Sequence, residues 1–247
     1  MITSKQNSFI KEIRSLSDKK YRDKLNLYVV EGKKLVSEAV QLALPIYAVI
    51  GTEKALAELS LDGVRVEPVT EEVFSSVSAE VSPQGVIAVI VKPENALIKP
   101  DGSCILLDGV ADPSNVGAII RTAAASGYNT VYTTDDCADP FSQKAVRASM
   151  SGVFRIKIVR ATRQDLLSII DKPIVVADMD GESIYQTEIK EDFCLVIGNE
   201  GHGVSDFIRE NAKKVVSIPM ENGVESLNAA VSAGLLMYGL KNRSQNK

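Results

Sequence analysis

The amino-acid sequence predicts an α/β protein made of two unequal domains. Short apolar runs rich in Val, Ile and Leu alternate with segments of helical periodicity along most of the chain. Runs that are apolar throughout are typical of parallel strands covered by helices on both faces. A polar segment with two prolines, Lys92 to Gly102, interrupts the alternation and predicts a domain boundary that divides the chain into 1–95 and 96–247.

The first domain is predicted to be a small α/β unit that begins with a helix. Apolar residues at helical spacing from Phe9 to Leu16 indicate this helix, and Ser4 is its expected cap. The elements predicted to follow are a strand at 27–30, a helix at 33–43, a strand at 47–50, a helix at 54–59, a strand at 64–69, a helix from the cap Thr70 to Val77 and a strand at 85–91.

The second domain is predicted to be a larger unit with a parallel sheet. Its strands are expected at 104–107, 130–132, 154–159, 174–177, 193–197 and 215–219. Its helices are expected at 116–126, 141–150, 163–170, 205–212 and 226–240, the first of them ending before Gly127. Ligands of such sheets bind beyond the carboxyl ends of the strands, so functional residues are expected in the loops that follow the strands.

Composition excludes several classes of protein. The chain has 247 residues, of which 45% are hydrophobic and 24% charged, close to a globular average, so disorder, collagen and coiled coil are excluded. It has no long apolar span and no signal-peptide core, which argues against a membrane protein. Three widely spaced cysteines fit a reducing cytoplasm. The single histidine, His202, leaves a zinc site or a Ser-His-Asp triad poorly supported.

Basic residues are concentrated in two parts of a chain whose net charge is −4. Residues 1–35 hold nine Lys or Arg against four Asp or Glu, a local charge of +5. Residues 144–163 hold six Lys or Arg and no acidic residue. Such patches on an acidic chain are typical of phosphate-binding surfaces, although solvated helix faces would have the same composition.

The first motif with chemical meaning runs from Asp108 to Arg121, where a strand ends and a helix begins. Ser114 is expected to cap this helix, and Asn115 can hydrogen-bond across the strand ends. Arg121 lies among small apolar residues, where an arginine needs a partner or an anionic ligand. An RNA phosphate held bidentately would satisfy it. An ion pair with Asp108 or Asp112 is the alternative.

The second motif is the glycine-rich segment 198–203, which follows the most apolar strand with the sequence GNEGHG. Its glycines allow a ligand to approach the backbone closely. The order G-x-x-G-x-G differs from the dinucleotide fingerprint G-x-G-x-x-G, which argues against a nicotinamide-dependent enzyme, and no P-loop lysine follows. An ordinary glycine turn is the alternative at this point.

The third motif spans Ile218 to Ala230. Ser226 is expected to cap the last helix, with Asn228 in its first turn. Backbone groups at this junction can frame a small ligand, although a simple strand-turn-helix connection could use the same residues. The helix continues with Ser232, Ala233 and Gly234, small residues that allow close backbone approach inside the fold or across a dimer.

Together the three motifs resemble the SpoU (TrmH-like) family, which is part of the SPOUT class of RNA 2′-O-ribose methyltransferases. The matching patterns are D-x-x-x-D-P-x-N-x-G-x-x-x-R at 108–121, G-N-E-G at 198–201 and I-P-M…E-S-L-N-x-A at 218–230. They occur in the family's order over about residues 104–240. Residues 1–95 resemble more weakly the substrate-binding domain often attached to these enzymes, which is related to kink-turn-binding ribosomal proteins; the turn 82–85 is its clearest element.

The resemblance implies a C-terminal domain with a trefoil knot, S-adenosylmethionine bound in that knot by main-chain groups, and no metal. It also implies a homodimer with its active site completed near the subunit interface. The cofactor-binding residues it implies are Gly198, Asn199, Gly201, Ile218, Pro219, Met220, Leu227 and Ala229. The appended domain favours ribosomal RNA as substrate over transfer RNA.

Methyl transfer to a ribose requires the site to align a weak nucleophile, the 2′-hydroxyl, and to stabilise the developing alkoxide. The resemblance implies that Arg121, the arginine of the first motif, is the group that activates this hydroxyl. Because a guanidinium is almost never neutral, we expect a positive clamp on ribose and phosphate, with a phosphate oxygen or water accepting the proton.

The resemblance also suggests roles for other polar residues. Asn115 would orient the ribose, Glu200 and Asn228 would hold the loops and the target nucleotide, and Ser226 would position its helix. The residues expected to contact the RNA backbone are Lys144 and Arg147 in the second domain and Arg14, Lys19 and Lys20 in the first.

Other functions are compatible with parts of this pattern. A transfer-RNA 2′-O-methyltransferase would share the motifs, whereas base methylation is less consistent with motifs of the ribose type. A non-catalytic RNA-binding or ribosome-assembly factor would keep the basic patches but should have lost Asn115, Arg121 or Glu200, and all three are present.

Overall fold

The strands form two separate sheets, one in the N-terminal region (residues 1–91) and one in the C-terminal region (residues 104–244). The structure, a computed structural model, describes residues 1–221 and 223–244. The N-terminal helices are α1 (Ser8–Ser15), α2 (Lys19–Leu25), α3 (Lys33–Gln41), α4 (Glu53–Leu56) and α5 (Glu71–Ser75). Its strands are β1 (Leu27–Glu31), β2 (Ile46–Gly51), β3 (Val66–Pro68) and β4 (Val86–Val91).

The N-terminal sheet is mixed and has the order β1-β4-β2-β3. Strand β4 is antiparallel to both β1 and β2, while β2 and β3 are parallel. Thr70 caps α5 as predicted, but Asn7 rather than Ser4 caps α1, because its side chain accepts the Phe9 N–H at 2.9 Å. An asparagine one residue before the first helical turn is in the better position to cap it.

The C-terminal region alternates strands and helices around a six-stranded sheet. Its strands are β5 (Cys104–Asp108), β6 (Thr130–Thr134), β7 (Lys157–Ala161), β8 (Ile174–Ser183), β9 (Cys194–Gly198) and β10 (Lys214–Ser217). Its helices are α6 (Pro113–Ala125), α7 (Gln143–Ser149), α8 (Arg163–Ile169), α9 (Asp206–Arg209) and α10 (Ala229–Ser244).

The strand order is β10-β8-β9-β5-β6-β7 and every pairing is parallel, which confirms the predicted sheet. The central strand β5 is buried on both faces. Ile105 and Leu107 pack in one apolar cluster, and Cys104 and Leu106 in another on the opposite side. This explains why the strand is apolar throughout.

Strands β7 and β8 differ most from their predicted bounds. A 3-10 turn at Met150–Phe154 occupies the start of the strand predicted at 154–159, so β7 begins only at Lys157. This turn packs closely on α6, since a Cβ on Gly152 would lie 2.9 Å from Cα of Arg121. Strand β8 extends to Ser183 because a second segment of it pairs with β10, after a register shift between Val215 and Val216.

The two regions share an apolar core and a buried ion pair. Tyr28 of β1 packs on Phe141, which precedes α7, with ring centroids 5.1 Å apart. The guanidinium of Arg22 in α2 donates twice to one carboxylate oxygen of Asp139, at 2.9 and 2.6 Å, and the two side chains are only 4% and 9% exposed. Arg22 also donates to the carbonyl of Leu16 at 2.7 Å. This member of the basic N-terminal patch therefore anchors one region on the other.

Candidate active site

The three motif loops meet beyond the carboxyl ends of three strands of the parallel sheet, as predicted. The first loop follows β5 and the second follows β9, and these strands are paired with Asp108 opposite Gly198. The third follows β10 and leads into α10. In the order of the sheet, the three strands therefore place their loops along one edge.

Glu200 in the glycine-rich loop connects the first two motifs. One carboxylate oxygen accepts the N–H of Ala111 at 3.0 Å. The other accepts the N–H of Asp112 at 3.2 Å and the side-chain N–H of Asn115 at 2.8 Å. Partial burial opposes ionisation, but these hydrogen bonds outweigh it and lower the pKa of the Glu200 carboxyl. Glu200 is therefore a negatively charged acceptor at neutral pH.

Asn115 extends the connection to the third motif. Its side-chain oxygen accepts a hydrogen bond from the side-chain nitrogen of Asn228 at 2.9 Å. Asn115 is buried, with 7% of its surface exposed. Three side chains that are widely separated in sequence, Glu200, Asn115 and Asn228, thus form one continuous hydrogen-bonded chain, which we call the polar triad.

The helix caps at this site differ from the predicted ones. Asp112, not Ser114, caps α6, because its carboxylate accepts the Ser114 N–H at 2.8 Å and Pro113 is the first helical residue. Asn228, not Ser226, caps α10, since its oxygen accepts the Ala230 N–H at 2.9 Å. The last helix therefore begins at Ala229, later than predicted, and Ser226 lies exposed in the preceding loop. A serine and a better-placed carboxylate or amide compete for the same N–H groups in both cases.

The glycine-rich loop is a tight turn stabilised by its own backbone. Asn199 and Gly203 exchange two backbone hydrogen bonds of 2.9 Å, and the Asn199 side chain donates to the Gly109 carbonyl at 2.8 Å. A Cβ on Gly198 would lie 2.2 Å from the carbonyl carbon of Gly203. The backbone at Gly203 therefore leaves no room for a side chain at position 198, whether or not a ligand also approaches there. The side-chain oxygen of Asn199 accepts the Gly201 N–H at 2.9 Å.

The described residues of the segment 218–227 leave most of their backbone polar groups without a hydrogen-bond partner in the described chain. Among the described residues of this segment, the backbone hydrogen bond is the one from Val224 N–H to the Glu221 carbonyl. Ile218, Met220 and Leu227 are half-buried, and Pro219 is exposed. Backbone N–H and C=O groups in such a setting require a partner, either water or a ligand. This is the donor and acceptor set that a cofactor recognised through the main chain would use.

Arg121 is exposed on α6, and within residues 1–221 and 223–244 it has no ion pair. The two carboxylates considered above as ion-pair partners of Arg121 each pair with another cation. Asp108 accepts from Arg163 at 2.6 Å, and Asp112 pairs with Lys144 at 3.0 Å. The guanidinium of Arg121 is consequently free to bind an anion from outside the chain.

The other residues expected to bind RNA differ in what already contacts them. Lys144 pairs with Asp112, Arg147 with Glu80 and Lys19 with Asp23. Arg14 donates to the Ser76 hydroxyl at 2.8 Å and has no carboxylate partner in the described parts of the chain. Exposed lysines of α1 and α2 without an ion pair there are Lys11, Lys20 and Lys24.

A second polar cluster, which the motifs did not predict, lies beside the glycine-rich loop. It consists of Asp108, Thr134, Asp136, Arg163 and Ser205, joined by hydrogen bonds and ion pairs. Of these, Asp108 belongs to the first motif and Arg163 to the basic segment 144–163. A charged residue at the end of β5 and another two residues after β7 are the signal that could have indicated it.

None of the helices in residues 1–221 and 223–244 combines the length and the hydrophobicity needed to span a membrane. No group of three or more His, Cys, Asp or Glu side chains within these residues is arranged to hold a metal ion.

The SpoU rRNA Methylase family model matches residues 102–238, and the MRM3-like substrate binding domain model matches residues 7–88. A similar protein is the 23S rRNA (guanosine(2553)-2′-O)-methyltransferase RlmP of Bacillus subtilis, 32% identical, with 97% of this chain and 98% of the relative covered. Another is the 23S rRNA (guanosine-2′-O-)-methyltransferase RlmB of Vibrio vulnificus, 28% identical, with 93% of each chain covered.

Solved structures resemble the chain over nearly its whole length. The AdoMet-bound rRNA methyltransferase from Sinorhizobium meliloti superposes with a TM-score of 0.88 at 30% identity, covering 98% of this chain and 97% of that one. The SpoU methyltransferase AviRb from Streptomyces viridochromogenes, in complex with AdoMet, gives 0.86 at 26% identity, covering 98% and 100%. With its motif loops joined at one sheet edge and both parts of the sequence matched, the chain belongs to the SpoU rRNA methylase family.

Proposed function

We propose that this protein transfers the methyl group of S-adenosylmethionine to a ribose 2′-hydroxyl of ribosomal RNA. The observation that carries the proposal is the polar triad, which joins all three family motifs in one site. The whole-length similarity to an enzyme named as a 23S rRNA 2′-O-methyltransferase supports the substrate class. The RNA-modifying role and the three free, buried cysteines favour a cytoplasmic location.

S-adenosylmethionine would bind to the glycine-rich loop and to the loop that precedes α10. The backbone groups left available in 218–227 fit a cofactor held by the main chain. The residues proposed to hold it are Gly198, Asn199, Gly201, Ile218, Pro219, Met220, Leu227 and Ala229. The bound cofactor supplies a methyl group on a positively charged sulfonium. The charge of Glu200 lies close to this part of the site and favours a cationic ligand.

Arg121 would hold the target nucleotide, because it is the exposed cation of the first motif without a partner. Its planar fork fits a phosphate or ribose oxygen bidentately, and its charge stabilises the alkoxide that develops on the 2′-oxygen. The side-chain nitrogen of Asn115 donates to Glu200, and its side-chain oxygen accepts from Asn228. The amide therefore keeps one N–H and one oxygen lone pair that are not used in these bonds. These remaining positions can orient the ribose.

A second copy of the chain is the proposed partner of α10. Val231, Leu235 and Tyr238 lie at i, i+4 and i+7 on this helix and are 51%, 46% and 47% exposed. The opposite face of α10 is buried, as Ala233 and Leu236 are. An exposed apolar stripe on an ordered helix is typical of an interface. Because α10 packs on α6, the stripe would bring the partner close to Arg121.

The RNA would extend over α1 and α2 of the N-terminal region. Lys11, Arg14, Lys20 and Lys24 are exposed and have no carboxylate partner in the described chain. Lys19, Lys144 and Arg147 would first have to exchange an internal carboxylate for a phosphate. Phosphate contacts of this kind position an enzyme on its RNA without specifying the sequence.

The test is to map ribose methylation in total RNA from cells with and without this protein. We expect one 2′-O-methyl group in ribosomal RNA to disappear, and to return with the wild-type gene but not with Arg121→Ala. Calorimetry should show that Arg121→Ala binds S-adenosylmethionine as well as the wild type does. Lys213→Ala, a change at an exposed lysine paired with Glu191, is the control and should restore the methyl group. A methyl group lost from transfer RNA only would contradict the proposed substrate.

A further inference from the structure

Asp108 is a buried carboxylate at the end of the central strand. Its side chain is fully buried. One oxygen accepts both the N–H and the hydroxyl of Ser205, at 2.7 and 2.6 Å. The other accepts the Nε–H of Arg163 at 2.6 Å. A buried carboxylate needs a positive partner, and Arg163 is the one it has in the described chain.

Arg163 connects Asp108 to the neighbouring strand. Its Nη2 donates to Asp136 at 2.7 Å, and the other oxygen of Asp136 accepts from the Thr134 hydroxyl at 2.5 Å. The Thr134 hydroxyl oxygen accepts the Gly109 N–H at 2.9 Å. Burial opposes the charge on Arg163, but the carboxylates of Asp136 and Asp108 outweigh it and raise the pKa of the guanidinium. Arg163 thus stabilises the start of the first motif loop by linking Asp108 to Asp136.

Ser205 marks the exit of the glycine-rich loop. The loop enters at Gly198, which is paired with Asp108 across the sheet, and leaves at Ser205, which is bonded to the carboxylate of the same Asp108. Glu200 lies between these two anchor points. The position of Glu200 therefore depends on Asp108, and Asp108 in turn is paired with Arg163.

We propose that Arg163 is a positioning residue for methyl transfer: it pairs with the buried Asp108, Asp108 holds Ser205, and this fixes the loop that bears Glu200. Arg163 lies outside the three family motifs and touches none of the residues of the polar triad. The inference rests on the proposed function in one respect, namely that this loop borders the cofactor.

The test compares Arg163→Met, which keeps the stem and removes the charge, with wild type and with Arg163→Lys. Hydrogen–deuterium exchange of the ligand-free protein measures the loop, and calorimetry measures S-adenosylmethionine affinity. For Arg163→Met we expect faster exchange confined to 198–205 and about tenfold weaker cofactor binding, the effect of losing one charge-assisted hydrogen bond. Arg163→Lys should restore part of both, because an ammonium can pair with Asp108 but cannot reach Asp136 as well.

A double variant separates positioning from general destabilisation. Asp108→Asn combined with Arg163→Met removes the uncompensated charge but leaves an oxygen that can accept the Ser205 N–H, so loop protection and affinity should partly recover. Lys213→Met, which breaks an exposed ion pair with Glu191, is the control and should change neither.

Two results would overturn the inference: unchanged exchange at 198–205 in folded Arg163→Met, or faster exchange throughout the C-terminal sheet without recovery in the double variant. Faster exchange confined to the loop with unaltered affinity would support the claim that Arg163 positions the loop 198–205. It would contradict the placement of the cofactor in the proposed function.

Discussion

Replacing Glu200 with glutamine changes one acceptor oxygen into a donor at the point where three N–H groups converge. The amide oxygen can take over the bonds to Asp112 and Asn115, which are 3.2 and 2.8 Å in the native site. The new NH₂ group then faces the N–H of Ala111, whose native bond is 3.0 Å. Two donors cannot bond, so Glu200→Gln loses at least one charge-assisted hydrogen bond.

The cost follows from the surroundings of these groups. A lost hydrogen bond to a charged group is worth about 1.5–3 kcal/mol when no water replaces it. Glu200 and Ala111 are both exposed, so water can replace part of the bond and the expected cost is about 1 kcal/mol. Glu200→Ala also removes the partner of the buried Asn115 amide, and we expect about 2–3 kcal/mol for it.

Denaturant unfolding and methylation of ribosomal RNA are the assays. We expect both Glu200 variants to lower the free energy of unfolding, Glu200→Ala more than Glu200→Gln. Both should also reduce kcat, because Asn115 and Asn228 lose their alignment. Glu191→Gln, at an exposed carboxylate that pairs with Lys213, is the matched control. A Glu200→Ala protein with wild-type stability and kcat would refute the structural role of the triad.

The pH dependence of the same variants gives a second test. The folded-state pKa of Glu200 is lowered, so its stabilising contribution is fully present above its unfolded pKa of about 4.3. The contribution is lost as the pH falls through the lower, folded-state pKa. The stability difference between wild type and Glu200→Gln should therefore be constant above about pH 5 and shrink towards zero in stronger acid.

Four further variants test other parts of the structure. Gly198→Val should open the glycine-rich loop, because its Cβ would lie 2.2 Å from Gly203, and calorimetry should show lost cofactor binding by a folded protein. Leu235→Glu should convert the proposed dimer into a monomer in light scattering; an unchanged mass would place the interface elsewhere. Lys20→Glu with Lys24→Glu should weaken RNA binding and flatten its salt dependence, and an equal slope would exclude α2 from the RNA contact. Arg22→Met leaves Asp139 buried and unpaired, and should cost about 3–5 kcal/mol in denaturant unfolding.

Apolar periodicity predicted the parallel sheet because it is a local property of the chain, whereas a common site for Asn115, Glu200 and Asn228 was implied by the resemblance to the SpoU family. The caps were less predictable. Ser114 and Ser226 are good cap residues, but Asp112 and Asn228 are close by and occupy the N–H groups instead. Choosing between adjacent caps requires the loop geometry, which depends on the tertiary fold.

Long-range ion pairs could not be predicted from composition. The segment 144–163 holds six basic residues without an acid, yet carboxylates from distant positions neutralise most of it. Lys144, Arg147, Arg155, Lys157 and Arg163 pair with Asp112, Glu80, Glu38, Asp101 and Asp108, respectively. A local count of charges therefore overestimates the electrostatic potential that this surface offers to RNA.

The buried pair between Arg22 and Asp139 fixes the distance from α2 to the sheet edge that carries the motif loops. If Arg121 and the lysines of α2 hold the RNA as proposed, their fixed separation sets a distance that the substrate must match. A nucleotide would then reach Arg121 only when the folded RNA spaces it correctly from the backbone held by the lysines of α2. Target choice would then be a property of RNA architecture, and a change in the length of a neighbouring RNA helix would abolish methylation even where the target nucleotide is unaltered.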